Sequence, residues 1–399
     1  MEMSEHKKIV FELVRNNPGI VRSEISRRIH VSKSTAERIV QSLVTQGLLS
    51  ENTNSHNSRQ SRSGIALSVN SNGPCIIGVE LSSNHALTCA VINLDGEIIT
   101  ESFTEVSGDM TKEQLFEIIE EHIHRVLSEV RRLNRDIIGI GFGDPGIVDS
   151  LSGVSLFSST LPFWKNARIS GRLSERFHLP VFVQDASRIM CLAEARYGVA
   201  VGVKGFILID FGMGVGLGVY SNGRLYLGEQ GCGCEMGHMI IDPEGPICGC
   251  GGKGCLEAIV GSKALIKQAI TAIQNGAQTS IIEKAGMKTA AITDQHIFRA
   301  AEEHDRLSVT LIDSAIQILG RAIGNVCNLF NPSLVVLGGE IAKSPLLWKP
   351  IKTVIRRTVI PFLSGHLKIE FSRLSDKNGV LGAAEMVIEK MLYTEKSAS

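Results

Sequence analysis

Residues 235–257 read EMGHMIIDPEGPICGCGGKGCLE. His238 is followed by Cys248, Cys250 and Cys255, a Cys-x-Cys-x4-Cys cluster behind a histidine. One imidazole and three thiols at this spacing supply the four donors of a closed tetrahedral zinc site. Gly249, Gly251, Gly252 and Gly254 let the backbone turn tightly enough for the thiolates to face one metal. Glu235 and Glu257 flank the ligands, so a metal-tied loop would present two carboxylates to a bound molecule. The alternative for Glu235 is to orient a metal ligand from behind. Cys232 and Cys234 leave a second metal set open, in which one of them replaces His238, or a redox response of their own.

Outward from this segment, the 399 residues suggest two or three domains. The formal net charge is zero, but residues 1–62 hold ten Lys/Arg against six Glu. A small basic end on an acidic body is a footprint of nucleic-acid contact. Glu2, Glu5, Lys7 and Lys8 open the chain and argue against a signal peptide. No apolar run is expected to reach the ~18 residues that span a bilayer. A cytoplasmic protein is therefore expected, without a membrane partner. There, nine cysteines with five of them between Cys232 and Cys255 favour metal over disulfides. Cys75, Cys89, Cys191 and Cys327 sit in apolar surroundings and read as small buried hydrophobes.

Residues 1–70 read as a winged helix-turn-helix domain. Ile9, Leu13 and Val14 mark a helix over 6–16 that Asn17-Pro18-Gly19 stops. A short helix covers 22–29, and Ser32 caps a third whose stripe is Ile39, Leu43 and Val44. Gly47 ends it before a strand at Leu48-Leu49-Ser50. Lys33, Ser34, Thr35, Glu37 and Arg38 are the groove-facing candidates, and Arg59 and Arg62 in a polar wing would reach phosphates or a narrow minor groove. The bland alternative is a helical bundle that binds a protein.

From residue 74 one grammar occurs twice. A strand ending in an acid (Glu80, Asp210) is followed by a second strand, a tight turn (Asp95-Gly96, Asn222-Gly223) and a third strand. This suggests an internal duplication and two α/β lobes with a cleft between them. Helices are expected over 112–132 and 309–329, a strand at 334–337 ahead of Gly338-Gly339-Glu340, and a closing helix from Gly379 to about Leu392. In FGMGVGLG (211–218) the alternating glycines either let a ligand's phosphates approach or mark a barrel corner or bulge. Asp144 in GDPG reads as a turn residue, and Asp185 on residues alone reads as a helix cap.

Together GCGCEMGH (231–238), ICGCGGKGCLE (247–257), GIGFGDPGIVD (139–149), VQDASRIMCLAEARYG (183–198) and VVLGGEIA (335–342) resemble the ROK family of repressors and sugar kinases. The resemblance covers about residues 74–392 and implies the two-lobed actin-like ATPase fold shared with hexokinases. The first lobe would hold 74–186 plus 376–399, and the second 187–375 with the zinc site. By resemblance, His238, Cys248, Cys250 and Cys255 hold structural zinc. Thr160, Asp185, Glu235, His238 and Glu257 contact a sugar, and Asp185 is the base where kinase activity is retained. Gly212, Gly214, Gly216, Gly338 and Gly339 would line a nucleotide site, with ATP and Mg2+ as cofactors only in that case. The N-terminal winged helix matches the family's transcriptional branch.

Departures from the kinase pattern matter. Where the kinases begin a phosphate loop Asp-x-Gly-x-Thr, this chain has Glu80-Leu81-Ser82-Ser83-Asn84. Met213 replaces a threonine, Thr160 replaces a sugar-binding asparagine, and Gln184-Asp185-Ala186-Ser187 replaces Asn-Asp-Ala-Asn. The reading is a sugar-responsive regulator, a repressor, that binds operator DNA and a carbohydrate or sugar phosphate, as a homodimer or higher homo-oligomer. The alternatives are an ATP-dependent sugar kinase carrying a DNA-binding domain, and a zinc- or redox-sensing regulator built on the same cysteines. Arg38→Ala is expected to weaken operator binding; an unchanged gel-shift titration would remove the third helix from the groove.

Overall fold

The computed structural model describes residues 3–52 and 64–393, so Arg59 and Arg62 lie outside the described residues. The head comprises α1 (Met3–Asn16), β1 (Ile20–Val21), α2 (Arg22–Arg28), α3 (Lys33–Thr45), β2 (Leu49–Asn52) and β3 (Ala66–Val69). Its antiparallel sheet has the order β1-β3-β2. Ser32 caps α3, its Oγ accepting the Thr35 amide at 3.1 Å. Ala36, Ile39, Val40 and Leu43 are buried, which turns Lys33, Ser34, Glu37 and Arg38 to solvent, with Thr35 half-buried. Arg22 Nε lies 3.3 Å from the exposed Glu37 carboxylate, and the same guanidinium pairs with Glu51.

The first body sheet is built from β4 (Cys75–Leu81), β5 (Ala86–Asn93), β6 (Ile98–Glu105), β7 (Ile137–Asp144) and β10 (Val181–Asp185). α4 (Lys112–Arg132), the hairpin β8 (Ile147–Asp149) with β9 (Val154–Phe157), and α5 (Ile169–Phe177) fill the connections. α6 (Ala186–Tyr197) leads to the second sheet, which opens with β11 (Phe206–Phe211), β12 (Val215–Ser221) and β13 (Arg224–Leu225). A helical layer follows in α7 (Leu256–Val260), α8 (Ser262–Gln274), α9 (Ile281–Lys284), α10 (Asp294–Glu302) and α11 (Arg306–Phe330). The chain closes with β14 (Leu334–Gly339), α12 (Glu340–Lys343), α13 (Pro345–Thr358), α14 (Pro361–Ser364), β15 (Lys368–Phe371) and α15 (Asn378–Tyr393).

The strand orders are β6-β5-β4-β7-β10 and β13-β12-β11-β14-β15. In each, three antiparallel strands are continued by two parallel ones. The repeated grammar of the sequence is therefore a repeated topology. All seven residues of β4 are buried, as a central strand covered on both faces requires.

By length and composition, α11 is apolar enough to cross a bilayer. Its Ile312, Ile316, Leu319, Ile323 and Val326 are buried in the second lobe's core, so its hydrophobicity serves packing. Polar residues interrupt its apolar runs, which is why counting consecutive apolar residues misses it.

α6 is the centre of the arrangement. It packs against α15, whose Gly382 leaves no room for a Cβ beside the Ile189 carbonyl oxygen. Its other side meets β12, where a Cβ at Gly216 would overlap the Ser187 hydroxyl and one at Gly218 would meet Cys191. Two of the alternating glycines thus exist because a helix lies on the strand, a reason different from a phosphate or a barrel corner. The head's core is continuous with the body: Val10, Phe11 and Leu43 share a buried cluster with Ile92, Ala193, Val380, Ala384 and Ile388.

Candidate functional site

The parallel strands of both sheets point their C-terminal ends at one cavity of about 480 Å³, the expected ligand position in α/β folds. β4 delivers Glu80, β10 delivers Asp185, β11 delivers Asp210 and β14 delivers Gly339. Thr160, Asp185, Glu235, His238 and Glu257 all line this cavity although they span almost a hundred positions in sequence. Gly212, Gly214, Gly216 and Gly339 line it as well, whereas Gly338 does not.

Asp185 does two things at once. Its Oδ1 accepts the Arg188 amide at 3.2 Å and caps α6, while the residue faces the cavity. Burial pushes its carboxyl pKa up, and the neighbouring Arg188 guanidinium opposes the shift. Arg188 is buried and donates to Gln184 Oε1 (3.0 Å), to the Gly231 carbonyl (2.7 Å), to the Gly233 carbonyl and to Glu235 Oε1 (3.2 Å). It therefore holds the segment carrying Glu235 against the helix carrying Asp185. Thr160 is buried, with its hydroxyl 3.2 Å from that of Ser158 and its carbonyl 3.2 Å from His85 Nε2. Asp144 is buried below the cavity and accepts from Gly146 N (2.9 Å), Ser155 Oγ (2.8 Å) and Trp164 Nε1 (2.6 Å). It fixes the Pro145–Ile147 turn and does not line the cavity itself.

The donor atoms of His238, Cys248, Cys250 and Cys255 lie within 4.8 Å of one another. His238 Nδ1 is 3.7 Å from Cys248 Sγ, and Cys250 and Cys255 sulfurs are 3.7 Å apart. Donors on a zinc tetrahedron, at about 2.0–2.3 Å from the ion, are separated by roughly 3.3–3.8 Å, so a small contraction would fit them to it. Cys232 and Cys234 stand outside this group. Positive φ at Gly251 (88°) and Gly254 (75°) bends the ligand loop back on itself. Glu257 links cluster and cavity: its Oε1 accepts from the Cys248 thiol at 3.1 Å and it faces the cavity beside His238.

Beside Glu257 in the cavity wall, the two loops corresponding to phosphate loops touch each other. The Met213 amide donates to Asn84 Oδ1 at 3.3 Å, and Asn84 Nδ2 donates to Glu340 Oε1 at 3.4 Å. Four acids crowd together here: Glu80, Asp210, Glu340 and Asp376. Glu80 is raised to about 8 by burial, with Asp210 and Asp376 adding to it. Asp210 is raised to about 6 by burial and by Asp185 and Glu340. Glu340 is raised by burial as well, with Lys343 opposing. Asn84, His85 and Arg188 escaped the sequence reading as site residues. Arg188 left a signal as a lone cation in the apolar helix segment RIMCLAEA, and Asn84 as the last residue of the altered loop Glu80-Leu81-Ser82-Ser83-Asn84.

The sequence profile of the ROK family matches residues 76–390, and that of the IclR helix-turn-helix domain matches residues 10–53. The xylose repressor of Caldicellulosiruptor bescii is 28% identical over 97% of this chain and 96% of its own length. The glucokinase of Thermotoga maritima is 28% identical over 79% of this chain and 98% of its own. Among solved structures, a ROK family transcriptional regulator described as a homolog of the E. coli MLC protein superposes with a TM-score of 0.82 at 28% identity, covering 98% of this chain and 96% of that one.

The Glu80 carboxyl yields a prediction about pH. Its raised folded value means that the stability tied to its neutral form is present below its ordinary 4.5 and is lost as pH rises through about 8. Glu80→Gln should match wild type in melting temperature near pH 4.5 and exceed it increasingly up to about pH 8. A thermal melt series showing equal profiles at all pH values would place the residue in contact with water.

Proposed function

This chain belongs to the ROK family, and from that premise we propose that it is a sugar-responsive transcriptional regulator, a repressor, with its effector in the cavity between the sheets. The observation that carries the reading is the coexistence of two parts in one chain. One is a winged helix-turn-helix head with an exposed polar α3; the other is a cavity where Asp185, Glu235, His238 and Glu257 converge. Carboxylates accept sugar hydroxyl hydrogens two at a time, and a buried site of this kind rejects an epimer that leaves them unpaired. Work on operator DNA puts the protein in the cytoplasm. Two heads in a homodimer or higher assembly would read paired half-sites about one helical turn, or a multiple, apart.

Electrostatics narrows the effector. Among the described residues, the cavity is lined by eight Asp and Glu and a single Lys or Arg, Lys343, which already pairs with Glu340 (3.3 Å) and Asp376 (3.0 Å). An uncharged sugar suits such a wall, and a sugar phosphate without a counter-cation does not. The kinase reading is disfavoured by the same wall and by Asn84, which spans the loops between which phosphates would lie. ATP and Mg2+ are therefore left out of the proposed cofactors. Zinc is retained. His238, Cys248, Cys250 and Cys255 would hold it, and bound there it would pin the loop that carries His238 and, two residues beyond Cys255, Glu257.

Two measurements test this. In a thermal-shift screen with D-xylose, D-glucose and N-acetyl-D-glucosamine, at least one should raise the melting temperature of the wild-type chain, by mass action on the native state. Asp185→Asn and Glu257→Gln should abolish that shift, and ADP release with the same sugar should stay far below ordinary kinase rates of ~1–100 per second. No shift with any of the three and turnover in the kinase range would reverse the reading. Metal analysis should find one zinc per chain, lost in Cys248→Ser together with a marked drop in melting temperature; a metal-free native chain of full stability would remove zinc from the account.

A further inference from the structure

Two helices run from the cavity to the head. α6 starts at the cavity, where Asp185 caps it and the buried Arg188 grips residues 231–235. It ends about 18 Å away, at 1.5 Å per residue, in Arg196 and Tyr197. There the Tyr197 hydroxyl accepts from Arg15 Nη2 at 2.6 Å and donates to Glu385 Oε2 at 3.2 Å. Arg15 Nη1 closes the triangle on Glu385 Oε1 at 2.8 Å. Arg196 donates to Asn16 Oδ1 at 2.6 Å and lies 3.6 Å from Glu12. α15 runs alongside. Its Gly379 packs so closely on Glu80, at the cavity, that a Cβ there would overlap the carboxylate. Farther along, Glu385 and Glu389 face α1 of the head, Glu389 with Lys8 Nζ at 3.8 Å.

From this geometry we propose that α6 and α15 move as one unit that carries effector occupancy to the DNA-reading head, and that the buried Arg15–Tyr197–Glu385 triad is the joint. The inference rests on the reading of the cavity as a sugar site and of the head as a DNA reader. The two helices are in backbone contact at Gly382 and Ile189, so one does not shift axially without the other. A sugar that engages Glu235 pulls on the 231–235 segment, and Arg188 passes that pull to the first turn of α6. Shifts of about 1–2 Å of a packed helix are the ordinary currency of such switches.

The joint has the character a switch needs. The side chains of Arg15 and Glu385 are 2% and 6% exposed. A buried ion pair of this kind contributes little over an apolar contact, but losing one partner is strongly unfavourable, so it defines one docking geometry and penalises intermediates. The flanking pairs are different. Glu12 and Glu389 are about a third exposed, and pairs of that sort are screened and weakly directional. Tyr197 is further fixed by the β5–β6 turn, where a Cβ on Gly96 would overlap its ring.

The test uses the full-length chain, a labelled duplex selected by the wild-type chain from a random-sequence pool, and whichever of D-xylose, D-glucose or N-acetyl-D-glucosamine shifts the wild-type melting temperature. Tyr197→Phe removes one hydroxyl and Glu385→Gln one charge; neither residue lines the cavity. Arg15→Met is the harsher variant, and should it fail to fold, Tyr197→Phe carries the test. In wild type, saturating sugar should change duplex affinity by about tenfold or more. In folded Tyr197→Phe and Glu385→Gln that ratio should fall below about twofold, while the sugar dissociation constant by calorimetry stays within about threefold of wild type. A folded variant keeping the wild-type ratio overturns the joint, as does one that loses sugar binding itself. A wild-type chain that binds sugar but whose duplex affinity ignores it overturns the regulator reading beneath.

Discussion

The close approach of α6 and α15 is the constraint on which the remaining geometry depends. Gly382 allows the two helix backbones to touch, and Gly216 and Gly218 allow β12 to lie against the other side of α6. With both faces committed, α6 has one place to be. That place puts Asp185 in the wall of the cavity and Tyr197 against α1 of the head. A helix held this way couples three bodies of structure, because displacement at one end has no slack to absorb it.

Burial of carboxylates is the second physical theme. Asp185, Asp210, Glu235 and Glu80 all have raised pKa values, with desolvation the largest cause in every case. Acids kept near neutrality, or ionised only with help from Arg188, are suited to exchanging hydrogen bonds with hydroxyls. Those that ionise repel a phosphate. Where the resemblance to sugar kinases would place phosphates, the loops contact each other, with Asn84 bonded to the Met213 amide and to Glu340. The substitutions Ser82 and Met213, visible as the loss of a glycine and of a hydroxyl, describe the same change from the sequence side.

Different parts of the chain were legible to different degrees. Ser32, the Ile39/Leu43 stripe and the Gly47 stop mark α3 because capping and helical periodicity are local effects. The paired strand grammar likewise surfaced as two sheets of one topology. The four-donor cluster was legible because its members lie within eighteen residues, a span over which loop geometry alone brings them together. The glycines of FGMGVGLG show the limit. Their period of two announced a strand, but what approached that strand was a helix preceding it in the chain. Arg188 reaches residues more than forty positions away, and Arg15 meets Tyr197 and Glu385 across most of the chain. No window of sequence holds such partners together.

The sequence by itself determined the kinds of part: a capped recognition helix, a duplicated α/β body, a four-donor loop and a set of acids at strand ends. Each follows from local propensity or from spacing along the chain. The tertiary structure alone decided which acids share one cavity, which glycines serve packing, and how the head is joined to the body. Those depend on side chains that meet only after distant elements have packed, and on the burial that shifts their charge.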